Sequence, residues 1–180
     1  MAEQIRVELR WKGIFQLAYV DYTVHPDDFM REMAKKVKDL PDPDLDRKGF
    51  WFLVSAAETP DEEVEIEELL FIGSSYNTDL RDRIPDRRLK NVYRDVMAEA
   101  RNNELYFAYG YIGDISTASP PRKLITDLEC ALVFQNEPIC NNRCQDRYTS
   151  EEGSEFLVTN VGDFFPLEAN CDTLALRELE

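Results

Sequence analysis

The chain has 180 residues, 43% of them hydrophobic and 11% aromatic, which suits a single globular core and excludes a disordered polymer. Its formal net charge of −15 argues against indiscriminate binding to a polyanion. The longest apolar stretches, such as 51–57, are too short to cross a bilayer, and the N-terminus lacks the order of a signal peptide. The expectation is a soluble, intracellular, cytoplasmic protein with no membrane partner.

Residues 4–10 alternate polar and apolar, as a half-buried strand does, and 14–24 read as a second strand. Pro26-Asp27-Asp28 opens a helix in which Phe29, Met33, Val37 and Leu40 recur at three- and four-residue steps. Pro41 and Pro43 end it and set a junction before residue 48. Residues 49–55, GFWFLVS, form a strong strand of aromatic and branched side chains. Seven acids follow between 58 and 68 as a long charged loop, and 69–73 returns as the other half of an antiparallel hairpin. Leu89, Val92, Tyr93, Val96 and Ala100 lie at helical spacing over 87–101, which Asn102-Asn103 stops. Residues 105–112 read as a third strand. Ser119-Pro120-Pro121 offers an N-cap and first turn for a helix carrying Ile125, Leu128, Leu132 and Val133.

This order is β-β-α-β-α, an α+β, sandwich-like module with a three-stranded antiparallel sheet over 48–142. A β-β-α extension over 1–47 precedes it, and an acidic tail over 143–180 follows and packs on it. The tail holds a strand at 156–161, an apolar segment at 164–167 and a closing helix at 173–179.

The acidity is peripheral. Outside 58–68 the central module carries ten basic and ten acidic side chains. Residues 81–101 gather Arg81, Arg83, Arg87, Arg88, Lys90, Arg94 and Arg101 against four acids. That strip is either a phosphate track, with Arg87, Arg88 and Arg94 as substrate contacts, or a solvated face with partners four residues away. Cys130, Cys140, Cys144 and Cys171 form no CxxC pair, and the single histidine, His25, is distant. They read as thiols of a reducing compartment, with Cys140 and Cys144 the pair open to a metal or a disulfide.

Four places carry a more specific pattern. Gly49-Phe50-Trp51 starts the first strand of the module, and Phe71-Ile72-Gly73 ends the second. Arg83 follows Gly73 by ten residues, with Arg81 as a competing position. Glu129 is followed nine residues later by Pro138 and twelve later by Asn141, with Ala-Leu-Val between. The set resembles the GIY-YIG nucleases, a superfamily that includes a DNA-repair incision subunit and homing and restriction endonucleases. The resemblance covers about half of the chain and implies the same β-β-α-β-α core.

It also implies roles. Glu129 would hold one divalent ion, Mg²⁺ or Mn²⁺, and a hard cation of this kind takes a carboxylate and keeps most of its waters. Arg83 would contact the scissile phosphate of DNA, and Asn141 would brace the site or cap the helix that bears Glu129. The departures are equally specific. Trp51 and Phe71 stand where the family has tyrosines, so neither can accept a proton, and Ser74 stands where the family often has a lysine. Tyr76 is the candidate substitute for the missing phenols. Two readings follow: a metal-dependent DNA endonuclease with Arg83, Glu129 and Tyr76 as its catalytic residues, or a catalytically inert module that binds nucleic acid or protein. In the second, the acidic loop 58–68 or the tail offers a protein-binding surface.

Overall fold

Every residue from Gly49 to Ala56 is buried, because its strand lies inside a sheet covered on both faces. The computed structural model describes residues 4–21, 23–150 and 153–178. Its elements are β1 (Ile5–Tyr19), α1 (Pro26–Asp39), β2 (Gly49–Glu58), β3 (Val64–Ser75), α2 (Leu80–Arg83), α3 (Lys90–Glu99), β4 (Glu104–Ile115), α4 (Leu124–Asn136), β5 (Phe156–Gly162), β6 (Asn170–Asp172) and α5 (Thr173–Arg177), with short 3₁₀ turns at Pro43–Asp46 and Arg87–Leu89. The class is α+β.

The strands form one sheet in the order β3-β2-β4-β1-β5-β6. All neighbours are antiparallel except β1 and β5. Strand alternation sorts the core into two layers. Phe50, Phe52 and Val54 of β2 pack with Leu128, Ala131 and Leu132 of α4. Trp51 and Leu53 face the other way, onto Phe29 and Met33 of α1 and Tyr93 and Val96 of α3. No helix among the described residues is long and apolar enough to cross a membrane.

Several expectations change. The strands expected at 4–10 and 14–24 are one strand, β1, and residue 22 lies outside the described residues. Lys12-Gly13 does not turn the chain, because Trp11 and Phe15 on either side pair with Gly110 and Phe107 of the same strand β4, and a bulge absorbs the extra residues. The N-terminal segment extends the central sheet: β1 sits between β4 and β5, so segments 1–47, 48–142 and 143–180 contribute to a single sheet.

The long charged loop is also shorter than expected. Strands β2 and β3 run out to Glu58 and Val64, and the turn closes through Thr59 and Glu63, joined by a backbone hydrogen bond of 2.9 Å. Helix 87–101 resolves into the 3₁₀ turn and α3. Pro120 and Pro121 precede α4 rather than begin it, since that helix starts at Leu124 with Lys123 at its cap and no side-chain capping bond. The closing helix is the single turn of α5.

Cys130 and Cys144 form a disulfide, while Cys140 and Cys171 are buried thiols. The pairing is thus not Cys140 with Cys144. Cys140 instead donates its backbone N–H to Leu70 O on the outer edge of β3, which leaves Cys144 to meet α4.

Candidate functional site

A cavity of 430 Å³ opens at the edge strand, where the end of β3 meets α4 and the turn before α3. Trp51, Gly73, Tyr76, Arg83 and Glu129 line it, with Lys123 and Arg143 adding positive charge. Each residue arrives from a different element, so the geometry is set by the sheet and the two helix layers and not by one loop.

Trp51 and Gly73 are partners in the β2–β3 ladder. A Cβ on Gly73 would come within 2.4 Å of the Trp51 ring, so the indole's close approach requires glycine there. The Trp51 and Phe71 rings lie 6.1 Å apart and form an apolar wall. The Trp51 indole N–H is buried and makes no formed hydrogen bond, although it lies near enough to the Tyr93 hydroxyl to pull against the rise that burial imposes on that phenol.

Glu129 sits on α4, half-buried. The Ser74 hydroxyl, at the end of β3, donates to its Oε2. Burial pushes the Glu129 carboxyl above the usual carboxylate range, and the Ser74 bond and the charges of Arg143 and Arg83 pull in the opposite direction.

Arg83 ends α2 and donates from Nη1 to Asp86 Oδ2 at 3.0 Å. Arg88 reaches the same oxygen at 2.6 Å. Asp86 is held far below the usual carboxylate range, first by Arg88 and, despite burial, also by Arg83. Arg81 points elsewhere. Its Nη1 donates to Val37 O and Leu40 O at 2.9 and 3.0 Å, its Nη2 to Asp42 O at 2.8 Å, and its Nε to Asp46 at 2.6 Å. It satisfies the carbonyls left open at the end of α1, so Arg83 alone of the two faces the cavity.

Asn141 does not cap α4, because Glu137 takes that position in the left-handed conformation. Its carboxamide reaches Ile72 of β3 instead, accepting from the backbone N–H at 2.9 Å and donating to the carbonyl at 2.8 Å. Gly49 stays outside the cavity: its approach is to Gly110 O, 2.1 Å from where a Cβ would stand. The expected arginine strip is split. Arg88 shares a neighbouring recess with Arg83, Tyr76, Ser75 and Thr78, whereas Arg87 lines a separate one with His25 and Asp27, and Arg94 extends toward Asp95 at 3.9 Å. The 3₁₀ turn at Arg87–Leu89 breaks the helical phase that would have aligned them.

Sequence reasoning did not find Lys123, Arg143 or the Ser74–Glu129 bond. Lys123 and Arg143 lie on irregular segments flanking α4, with no fixed spacing to Glu129 that a motif would expose. Together they place in the cavity the positive charge that Ser74 lacks.

The donor set also bears on a metal. Among the described residues no three His, Cys, Asp or Glu side chains converge, and Glu129 is the one carboxylate lining the cavity. A single carboxylate does not make a zinc site. It does fit Mg²⁺ or Mn²⁺, which retain waters and share phosphate oxygens with a substrate. No protein-family model, curated protein or solved structure matches this chain.

Proposed function

We propose that the chain is a divergent GIY-YIG-like endonuclease that hydrolyses DNA phosphodiester bonds, with Glu129 as the ligand of one Mg²⁺ or Mn²⁺ and Arg83 as the phosphate contact. One observation carries the reading. Trp51, Gly73, Arg83 and Glu129, the positions that carry the resemblance, lie up to 78 residues apart in the chain and line one cavity. The adjacency of β3, β2 and β4, with α4 packed against them, supports the reading.

In this reading a phosphate enters between Arg83, Lys123 and Arg143. Guanidinium groups stay protonated throughout and stabilise charge on non-bridging oxygens. A bound divalent ion supplies Lewis acidity and a water of lowered pKa. Glu129 must be ionised to hold it, and Ser74 fixes the orientation of that carboxylate. Trp51 and Phe71 exclude water without handling protons. Tyr76, 57% exposed at the cavity mouth, supplies the phenol that the two motif positions lack.

The second reading, an inert module that binds nucleic acid or protein, is favoured by Trp51 and Phe71 themselves, since loss of a positioned acid–base group forfeits about 10²–10⁴ in rate. The acidic hairpin tip, where Val64 is 40% exposed, is the surface such a module would offer to a protein.

The deciding experiment is a cleavage assay with Mg²⁺ or Mn²⁺ on supercoiled plasmid, single-stranded DNA and a branched duplex, comparing wild type with Glu129→Gln. Cutting that disappears in the variant supports the nuclease. No cutting by the wild type supports the inert module, and equal cutting by both removes Glu129 from the mechanism.

A further inference from the structure

Tyr76 borders the Arg88 recess described above and two further cavities. On one side is the Arg83–Glu129 cavity. On the other is a recess of 490 Å³, within the range of about 300–1,000 Å³ typical of small-ligand sites. Lys123 and Thr126 also line both, so the two adjoin at these three residues. The recess has an apolar floor of Ile112, Pro121, Leu124 and Ile125, and Lys48 and Arg122 stand at its rim. An apolar lining, a solvent-facing aromatic ring and a rim of cations together complement one chemical unit: a planar heterocycle attached to a phosphate.

We propose that this recess receives an unpaired nucleobase of single-stranded DNA, stacked against Tyr76, and that the neighbouring phosphate of the same strand lies at Arg83. The inference rests on the nuclease reading and narrows its substrate to strands with an unpaired nucleotide beside the cut. A base inside a duplex presents only its edges to a protein, so a base that lies in a slot must have left the stack. Aromatic stacking of this kind is sequence-tolerant, because every base has a π-face.

Charge placement favours the same substrate. Duplex binding by a non-specific protein draws on an extended run of phosphate contacts. Here Arg87 and Arg94 diverge from the cavity, and the chain as a whole carries −15. Lys48, Arg122, Lys123, Arg83 and Arg143 are instead concentrated around the two adjoining cavities. A strand that bends through these two cavities meets cations where its phosphates lie and avoids the acidic remainder of the surface.

The test is fluorescence anisotropy in EDTA, so that binding is read without cleavage. The probes are a labelled thymidine oligonucleotide of about ten residues and a duplex of equal length, at matched low salt. The wild type is expected to prefer the single strand. Tyr76→Ala is expected to weaken that binding by on the order of tenfold to a hundredfold, and Tyr76→Phe, which keeps the ring, to retain it. Tyr76 is exposed, so neither variant threatens the fold. Equal or tighter binding of the duplex, or no effect of Tyr76→Ala, overturns the assignment. Displacement of the oligonucleotide by micromolar thymidine monophosphate also overturns it, since the recess would then belong to a free nucleotide. Single-strand binding by a protein that never cuts would uphold the recess while removing the nuclease reading. Cutting of duplex DNA without single-strand preference would do the reverse.

Discussion

The Asn141 carboxamide holds both backbone polar groups of Ile72, accepting from its N–H at 2.9 Å and donating to its carbonyl at 2.8 Å. A side chain thereby continues the ladder on the outer edge of β3, beside the backbone bonds from Ile139 and Cys140 to Leu69 and Leu70. Such an edge would otherwise present a row of unpaired groups. Ile72 immediately precedes Gly73 and Ser74, so this clamp also fixes the strand end that carries the Trp51 contact and the Glu129 bond.

Asn141→Ala leaves a buried N–H and a buried carbonyl unpaired, at a cost of about 1–3 kcal/mol for each such group. Urea unfolding is expected to show a loss of about 2–6 kcal/mol for the two groups, and the Ile72 amide is expected to lose its hydrogen-exchange protection. An unchanged midpoint would mean that water replaces the carboxamide without penalty.

What could be read from the sequence follows from how local each signal is. Strand β2 is legible because burial on both faces demands an unbroken apolar run, GFWFLV. The start of β3 is not, because Glu65, Glu67 and Glu68 make Val64–Glu68 look like solvated charge, although Ile66 pairs with Ala56. The single long β1 is not legible either, since its position depends on pairing with β4, some hundred residues away, and on the parallel contact with β5. At the site, Glu129 stands out by its spacing to Pro138 and Asn141 and Arg83 by its place after Gly73, with Arg81 competing. Arg143 is brought to Glu129 by the Cys130–Cys144 crosslink and the edge contacts of residues 139–141, and Arg81 becomes structural only because the end of α1 lies beneath it. Neither relationship leaves a mark in the linear pattern.

Arg81 and Arg83 are two residues apart and should behave oppositely. Arg83→Ala removes a side chain that faces the cavity and gives up one partly exposed ion pair, typically worth about 0–1 kcal/mol. It is expected to lower the salt dependence of DNA binding by about one unit of slope and to cut cleavage by about 10²–10³, with little loss of stability. Arg81→Ala strips the end of α1 of its hydrogen bonds and is expected to destabilise the protein while leaving the salt slope of binding unchanged. The reverse pattern would exchange the two assignments.

Glu129 links function to pH. Burial first, then the opposing pull of Ser74, Arg143 and Arg83, leaves its carboxyl above the ordinary value of 4.5. In the nuclease reading metal binding needs the ionised form, so activity at subsaturating metal should fall as pH drops through a midpoint higher than that of a free glutamate. Ser74→Ala removes a bond that favours ionisation, and the acid limb of the rate profile should move further upward in pH. Stability has the corresponding sign. A carboxyl whose folded pKa is raised penalises the folded state above its unfolded pKa, and the penalty vanishes once the group is protonated. Glu129→Gln should therefore raise Tm at neutral pH and leave it nearly unchanged at pH values where the wild-type group is protonated. A lower Tm at neutral pH would show that the carboxylate is net stabilising and that the reading of its environment is wrong.

The Cys130–Cys144 bond joins the residue after Glu129 to the residue after Arg143, so it ties the carboxylate and one of its cations to the same crosslink. With 14 residues of separation, opening it is expected to cost about 2–4 kcal/mol through the freedom regained by the unfolded chain. Under denaturing conditions without reductant, alkylation should label two thiols, Cys140 and Cys171, and after reduction all four. Four labels without reductant would remove the crosslink from the account. If the bond is present, Cys144→Ser should also release Arg143 from its place beside the cavity. Glu129 would then lose one of the charges that holds its carboxyl down, and the acid limb should move to higher pH even in protein that remains folded. A variant that is less stable yet keeps the wild-type pH profile would show that the disulfide serves the fold alone.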